Sequence, residues 1–465
     1  MSSASSSTSL PKAIDLTHHL SLTARSRQPS PLKDIIHYMS LPGMISLAGD
    51  VPLHPSSSTP YALAPLMQYS ASPGHQALRD FAMELTAKLH KPAYSDYTTL
   101  LNNGSTDGWN KLTTLLLERG DYILVEEQIY PSAQAAFVPL GCKGEVVGVD
   151  GEGVVPELLE AALVNWDEKK GRRPHVIYLV PVGQNPLGST MRRERRKAVY
   201  DICVKYAPAH VDVDAFVESM EKSFMSLDYQ GRVIRMETFS KTIAPGSRLG
   251  WFTCNSVFAE RLLRGTEVQT QHPSGFSQVS SEYIFSADSP GNHRSVAPPV
   301  GNQRIFGMGH QPEGAIPSAQ GLDATHFDLV PADQTDIPGA LGVVAFAKND
   351  RSKPLLSFVP PRGGMFLWCN VHYSSNPAFI KLAETSDDPE SDYERTFWQT
   401  LADDLVLVTP GWYYQPWMGD EFRSTKSREG KPGMGHFRLA FSYEGKADME
   451  EGIKRLADVM HREWA

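Results

Sequence analysis

The chain has 465 residues, long enough to bury a large core in two domains or in one domain with a lobe. Hydrophobic content of 41% and charged content of 21% are ordinary for a globular protein, and a net charge of −9 argues against a general nucleic-acid binder, which needs a basic face. No apolar run reaches the roughly 18 residues of a membrane span, and Cys142, Cys203, Cys254 and Cys369 form no C-x-x-C pair, which argues against a disulfide framework or a metal site and for a reducing, cytoplasmic compartment.

In chain order, "MSSASSSTSLPKAID" has no basic-then-apolar signal pattern, and residues 1–13 read as a disordered tail. Residues 14–60, around "MISLAGDVP", are expected to pack on a smaller domain. Residues 61–285 read as a large domain in which short apolar strands alternate with amphipathic helices. "YILVEE", "VIYLVP", "VIRMETF" and "GWFTC" have the pattern of buried strands, with helix candidates "DGWNKLTTLLLERG" and "RRERRKAVYDICVKY" between them. This alternation predicts an α/β fold with a doubly wound, mostly parallel sheet, whose ligands bind beyond the carboxyl ends of the strands. Residues 286–324, dense in Pro, Gly and Ser, follow neither periodicity and read as an irregular insertion. Residues 325–465 mix strands such as "GMFLWCNV" with a terminal helix, as in a smaller C-terminal α/β domain.

Several stretches carry chemistry. In "NNGSTDGWNKL", Gly104 frees the turn, Ser105 or Thr106 can cap the helix, and first-turn N–H groups can hold an anion; an ordinary helix cap looks the same. "EEQIYPSA" places Tyr130 just past a strand, either as a stacking ring or as a half-buried loop residue. "PVGQNPLG" sets Asn185 before a proline, where its backbone is extended; the pattern also fits a plain turn. In "METFSKTIAPGSRLGW", Thr238, Ser240 and Arg248 offer hydroxyls and a guanidinium fork suited to a phosphate. Lys241 beside them could attack a carbonyl cofactor, activated by desolvation and neighbouring cations. Arg438, on the apolar strand "HFRLAFSYEG", needs a partner, either an internal carboxylate or a substrate carboxylate.

These stretches, together with "ISLAGD" and "QYSASPGHQALRDF", resemble in this order the class I/II aminotransferases, the fold type I pyridoxal 5'-phosphate enzymes, and among them fungal aromatic amino acid, kynurenine and 2-aminoadipate aminotransferases. The resemblance implies that Lys241 is the Schiff-base lysine and that Ser105, Thr106, Thr238, Ser240 and Arg248 bind the cofactor phosphate. It implies that Tyr130 stacks on the pyridine ring, Asn185 binds the ring's O3′, and Arg438 grips the substrate α-carboxylate. Tyr69 resembles the tyrosine that reaches the phosphate of the partner subunit, so the family implies a homodimer. The implied reaction moves an amino group between an aromatic L-amino acid and a 2-oxo acid. A lyase of the same fold, such as a C–S lyase, would share these residues, and a degenerate binding protein would share most of them.

One stretch departs from the family. The aspartate that pairs with the pyridine nitrogen is expected near Val213, which Asp212 and Asp214 flank, and Phe216 stands where a tyrosine is expected. In a second reading, "DVDAFVESMEKSF" resembles the loop after that strand, and the strand itself is missing.

Overall fold

The structure, a computed structural model, describes residues 10–28, 69–206, 209–213, 223–285, 325–337, 340, 342–361, 364–441 and 445–465. In chain order the strands are β1 (Tyr97–Asn102), β2 (Tyr122–Glu126), β3 (Lys143–Val147), β4 (Val149–Asp150), β5 (Gly153–Val154), β6 (Val176–Leu179), β7 (Ala209–Val213), β8 (Val233–Thr238) and β9 (Gly250–Asn255). They are followed by β10 (Asp328–Pro331), β11 (Val343–Ala347), β12 (Asp350–Phe358), β13 (Phe366–His372), β14 (Thr409–Pro410) and β15 (Met434–Ala440).

Seven strands form one sheet in the order β1-β9-β8-β7-β6-β2-β3. The pairs from β8 through β7, β6 and β2 to β3 are parallel, and β9 runs antiparallel to both β8 and β1. This is the mostly parallel sheet that the alternation predicts. Its central strands are covered on both faces, so β6, "VIYL", is buried throughout and reads as an unbroken apolar run. The helix Ser105–Leu116 lays Trp109, Leu112, Leu115 and Leu116 into the core on one face, a helical spacing of three and four residues. The carboxyl ends of β1, β2, β6, β7 and β8 share one edge of the sheet, because β1 is antiparallel to β9 and β9 to β8.

β7 occupies the position at which the sequence left a strand in question. Ala209–Val213 pairs parallel with β6 on one side and β8 on the other, with Asp212 in register with Leu179 and Arg235. The segment "AHVDV" fills this place in the sheet, whichever of the two readings of the sequence holds. Asp214 and Phe216 lie outside the described residues.

A second sheet of six antiparallel strands, β10-β11-β12-β13-β15-β14, packs its aromatic core under the helices Pro389–Asp403 and Lys446–Glu463. Two expectations about the N-terminus change. Ser95 N donates to Pro11 O and Ala13 N to Asp96, so residues 10–13 pair with the folded chain instead of trailing as a tail. Leu16, Leu20 and Ala24 join the core of the seven-stranded sheet, so residues 14–28 pack on the large layer, not the smaller one, because their apolar spacing meets Leu112 and Leu115 there. The stretch "MISLAGDVP" and the insertion 286–324 lie outside the described residues. No described helix is long and apolar enough to cross a membrane.

Candidate functional site

β1 ends at Asn102 and the chain turns through Gly104, whose φ of +91° only glycine adopts without strain. A Cβ there would stand 2.5 Å from Arg248 Nη2, so the glycine also lets the guanidinium lie against the helix end. The helix begins at Ser105 with Gly104 as its cap, which corrects the expectation that Ser105 or Thr106 caps it through a side chain. The first-turn N–H groups are consequently not capped by a side chain, and Ser105 Oγ is buried with no hydrogen-bond partner among the described residues. Thr106 is exposed at the same helix end.

β8 delivers the opposite wall. Thr238 caps a single 3₁₀ turn, Phe239–Lys241, by accepting from Ser240 N, and its hydroxyl donates to Ser240 Oγ at 2.9 Å. Arg248 is left-handed at φ +46°, an uncommon conformation for a residue with a side chain, of the kind that concentrates at functional sites. That backbone aims its guanidinium back across the turn: Nη1 donates to Ser240 Oγ at 3.1 Å and to Pro245 O at 3.0 Å, and Nη2 to Asn103 O at 3.1 Å. Ser105, Ser240, Thr238 and Arg248 thus meet at one corner. A helix end with uncapped N–H groups, an orphaned hydroxyl and a guanidinium fits a phosphate dianion.

Lys241 stands at the end of that 3₁₀ turn, on the rim of the corner. Its side chain is exposed, and among the described residues nothing pairs with it. The expected desolvation of this amine is therefore not met within one chain, because "SKTIAPGS" turns outward past β8. Four residues earlier on β8, Glu237 is buried between Arg235 Nη2 at 3.3 Å and His90 Nε2 at 3.1 Å. Burial pushes that carboxyl up, but Arg235 and His90 outweigh it and hold its pKa at about 2.

Across the same edge, Asn185 follows β6 and Arg438 comes from β15 of the second sheet. Arg438 Nη1 donates to Asn185 Oδ1 at 2.8 Å and Nη2 to Thr409 Oγ1 at 3.2 Å. Its guanidinium lies 4.1 Å from the Phe366 ring centre and 5.4 Å from that of Tyr414, a cation–π sandwich. Among the described residues no carboxylate pairs with Arg438, and its buried Nε has no partner. Burial lowers its pKa, with Tyr414 and Tyr130 close enough to counter part of that. The internal ion-pair reading of Arg438 has no support here. A planar, partly dehydrated guanidinium without a counterion is suited to an incoming carboxylate.

Tyr130, half-buried, caps the helix Pro131–Phe137 on the loop after β2, next to Ile129, whose N–H donates to Tyr414 O at 2.8 Å. Tyr69 is exposed and meets His272 edge-on at 6.3 Å. Sequence reasoning missed Thr409, Tyr414 and Phe366, which line Arg438 only because β13, β14 and β15 pair. The tyrosine pair in "PGWYY" is the one local hint.

The aminotransferase class I and II family matches residues 61–291. The chain is 31% identical over 445 residues to an L-tyrosine:2-oxoglutarate aminotransferase of Tapinella panuoides, covering 82% of this chain and 79% of that protein. It is 28% identical over 511 residues to an aromatic amino acid aminotransferase of Schizosaccharomyces pombe, covering 96% and 98%. Its fold superposes on the crystal structure of aminotransferase Aro8 from Candida albicans with a TM-score of 0.77 and 25% identity, covering 98% and 99% of the two chains. With its phosphate-suited corner and its carboxylate-ready arginine on one sheet edge, the chain belongs to the class I and II aminotransferases.

Proposed function

We propose that this aminotransferase uses pyridoxal 5'-phosphate to move an amino group between an aromatic L-amino acid and a 2-oxo acid. The observation that carries the reading is the corner where Arg248 Nη1 meets Ser240 Oγ at 3.1 Å beside the orphaned Ser105 Oγ, with Lys241 on its rim. Ser105, Thr106, Thr238, Ser240 and Arg248 would hold the phosphate, Tyr130 the ring face, Asn185 the ring oxygen, and Lys241 Nζ the carbonyl carbon. Bound there, the cofactor supplies an electron sink for bonds at the substrate Cα. Arg438 orients the substrate by its carboxylate in a two-point grip. Lys241 Nζ would take the proton from the substrate Cα as general base and deliver it, as general acid, to what had been the cofactor's carbonyl carbon. Phe366 and Tyr414 shield the arginine from water, which strengthens its hold on a carboxylate. The aromatic choice of substrate is supported by the relatives, which are named for tyrosine and aromatic amino acids.

The reading includes a homodimer, in which a second copy covers the exposed Lys241 and receives Tyr69, in a reducing cytoplasmic setting compatible with four buried free cysteines. It also includes a division into a large cofactor-binding domain over 61–285 and a smaller domain over 325–465. The test is borohydride reduction of the protein loaded with pyridoxal phosphate, followed by peptide mass spectrometry and product analysis with tyrosine, phenylalanine and tryptophan. A reduced adduct on Lys241 and formation of aromatic 2-oxo acids are expected. An adduct on another lysine overturns the site, and release of ammonia without amino transfer overturns the reaction.

A further inference from the structure

Glu126 closes β2 with its carboxyl entirely buried, and nothing in the proposed chemistry uses it. Its neighbour is Gln184, also buried, immediately before Asn185. We propose that Glu126 and Gln184 form a buried clamp that fixes the loop carrying Tyr130 against the loop carrying Asn185, which makes Glu126 a positioning residue for the ring bound between them. This rests on the reading given under "Proposed function".

The hydrogen bonds around Gln184 leave little freedom. Its Nε2 donates to Glu126 Oε2 at 3.1 Å and to Gln128 O at 2.8 Å, and its Oε1 accepts from Leu187 N at 2.7 Å. Both amide hydrogens are therefore used, and the amide has one orientation. Its backbone closes the turn from both sides, with N donating to Ser189 O at 2.9 Å and O accepting from Gly188 N at 2.7 Å. Gly188 has φ of +68°, and a Cβ there would stand 2.7 Å from Phe366 O, so the turn is pressed against the second sheet as well.

The clamp sits where the sheet stops holding these loops. β2 and β6 are in register at Leu124 and Ile177, and past the strand ends at Glu126 and Leu179 the chain runs on to Gln128 and to Asn185. Glu126 accepts from Gln184 and from the backbone N–H of Val180, and so ties the end of β2 to the exit from β6. Gln128 lies two residues before Tyr130, and Gln184 one before Asn185. Burial raises the Glu126 carboxyl to about 8 against the pull of those two donors, so near neutral pH it is mostly uncharged. Tyr178 is a titratable neighbour of the clamp: burial first, and then Glu126 and Tyr130, push its hydroxyl up. An uncharged carboxyl that accepts a hydrogen bond is mimicked by an amide, so Glu126→Gln retains the clamp while Glu126→Ala removes it.

The experiment uses holoenzyme of the wild type, E126A, E126Q, Q184A, N185A and E126A/N185A. It reads steady-state kinetics together with hydrogen exchange over residues 183–189, with and without pyridoxal phosphate. E126A and Q184A should raise exchange at Leu187 and Gly188 by about tenfold or more. They should also lower kcat/KM by about ten- to a hundredfold, as for a misplaced contact group. E126Q should stay close to wild type in both, and E126A/N185A should be no worse than N185A alone. Unchanged exchange in E126A, or losses that multiply in the double variant, would overturn the clamp. If E126A does not fold, Q184A reads the same contact. Wild-type protein that takes up no pyridoxal phosphate overturns the functional reading, and the exchange measured without cofactor then decides the clamp by itself.

Discussion

Arg438 Nη1 donates to Asn185 Oδ1 at 2.8 Å, and this bond joins β15 of the six-stranded sheet to the loop that leaves β6 of the seven-stranded one. The arginine has no carboxylate partner among the described residues, so the site brings it to the edge charged and ready to pair. A lysine keeps the charge but loses the planar fork that sets the carboxylate's orientation. Arg438→Lys should raise KM for the amino acid by about tenfold or more, roughly the 1.5–3 kcal/mol of a charge-assisted bond. Bound pyridoxal phosphate and the melting temperature should stay near wild type. Loss of cofactor or folding in this variant would mark Arg438 as a core residue and remove its substrate role.

The phosphate corner makes a separate prediction. Gly104→Ala would place a Cβ 2.5 Å from Arg248 Nη2 and ask alanine to adopt φ of +91°. Both effects push the guanidinium off the helix end. Gly104→Ala and Arg248→Ala should each weaken pyridoxal phosphate binding by about ten- to a hundredfold, measured by equilibrium dialysis. Inorganic phosphate should compete with the cofactor in wild type and far less in Arg248→Ala. Equal affinity in all three proteins would show that the phosphate sits elsewhere.

Much of the site was legible because its residues follow strand ends, where turn chemistry and local patterning coincide. "NNGSTDG", "QNPLG" and "TFSKT" each mark the exit of a strand of the seven-stranded sheet, and the structure gathers all three at one edge. What the sequence did not disclose depends on pairing between distant segments. Phe366, Thr409 and Tyr414 surround Arg438 only through the register of β13, β14 and β15, and no local pattern encodes that. The Ser105 hydroxyl was misread as a cap because S/T before an apolar helix usually is one; here the positive φ of Gly104 shifts the start by one residue. The exposure of Lys241 likewise depends on the direction the turn takes after β8, which a motif does not specify.

Two buried groups set opposite pH slopes on stability. His372, buried against Ser357 Oγ at 3.0 Å, has its pKa lowered by burial, and secondarily by Lys431, to about 4. Below the ordinary value of about 6.5 the unfolded chain takes the proton first. The contribution of His372 is therefore complete above that value and is lost as pH falls toward 4. Glu126 behaves the other way: raised to about 8, it holds a proton in the fold that the unfolded chain has already released above about 4.5. Its contribution is complete at low pH and is lost as pH rises from about 4.5 to 8. Each slope is at most about 1.4 kcal/mol per pH unit. Urea unfolding from pH 4 to 9 should show Glu126→Gln flattening the alkaline limb and His372→Gln flattening the acid limb. A limb unmoved by its variant would assign that slope to other groups.

The strand β7 carries the last prediction. Ala209–Val213 is hydrogen-bonded on both sides, so a strand is present where the family places the acidic partner of the pyridine nitrogen. The residue at the expected position is Val213, at the last position of β7, while Asp212 is in register with Arg235. A valine cannot keep the ring nitrogen protonated, and the electron sink is then weaker. A buried charge-assisted hydrogen bond is worth about 1.5–3 kcal/mol, or about one to two decades in rate if it strengthens in the transition state. Val213→Asp, combined with Phe216→Tyr, should therefore raise kcat for an aromatic amino acid by about ten- to a hundredfold. The affinity for pyridoxal phosphate, which the proposed corner at Arg248 would hold, should change little. If wild type is already brisk and Asp212→Asn abolishes turnover while Val213→Asp adds nothing, Asp212 is the partner and the chain reads its cofactor one residue earlier than the family pattern.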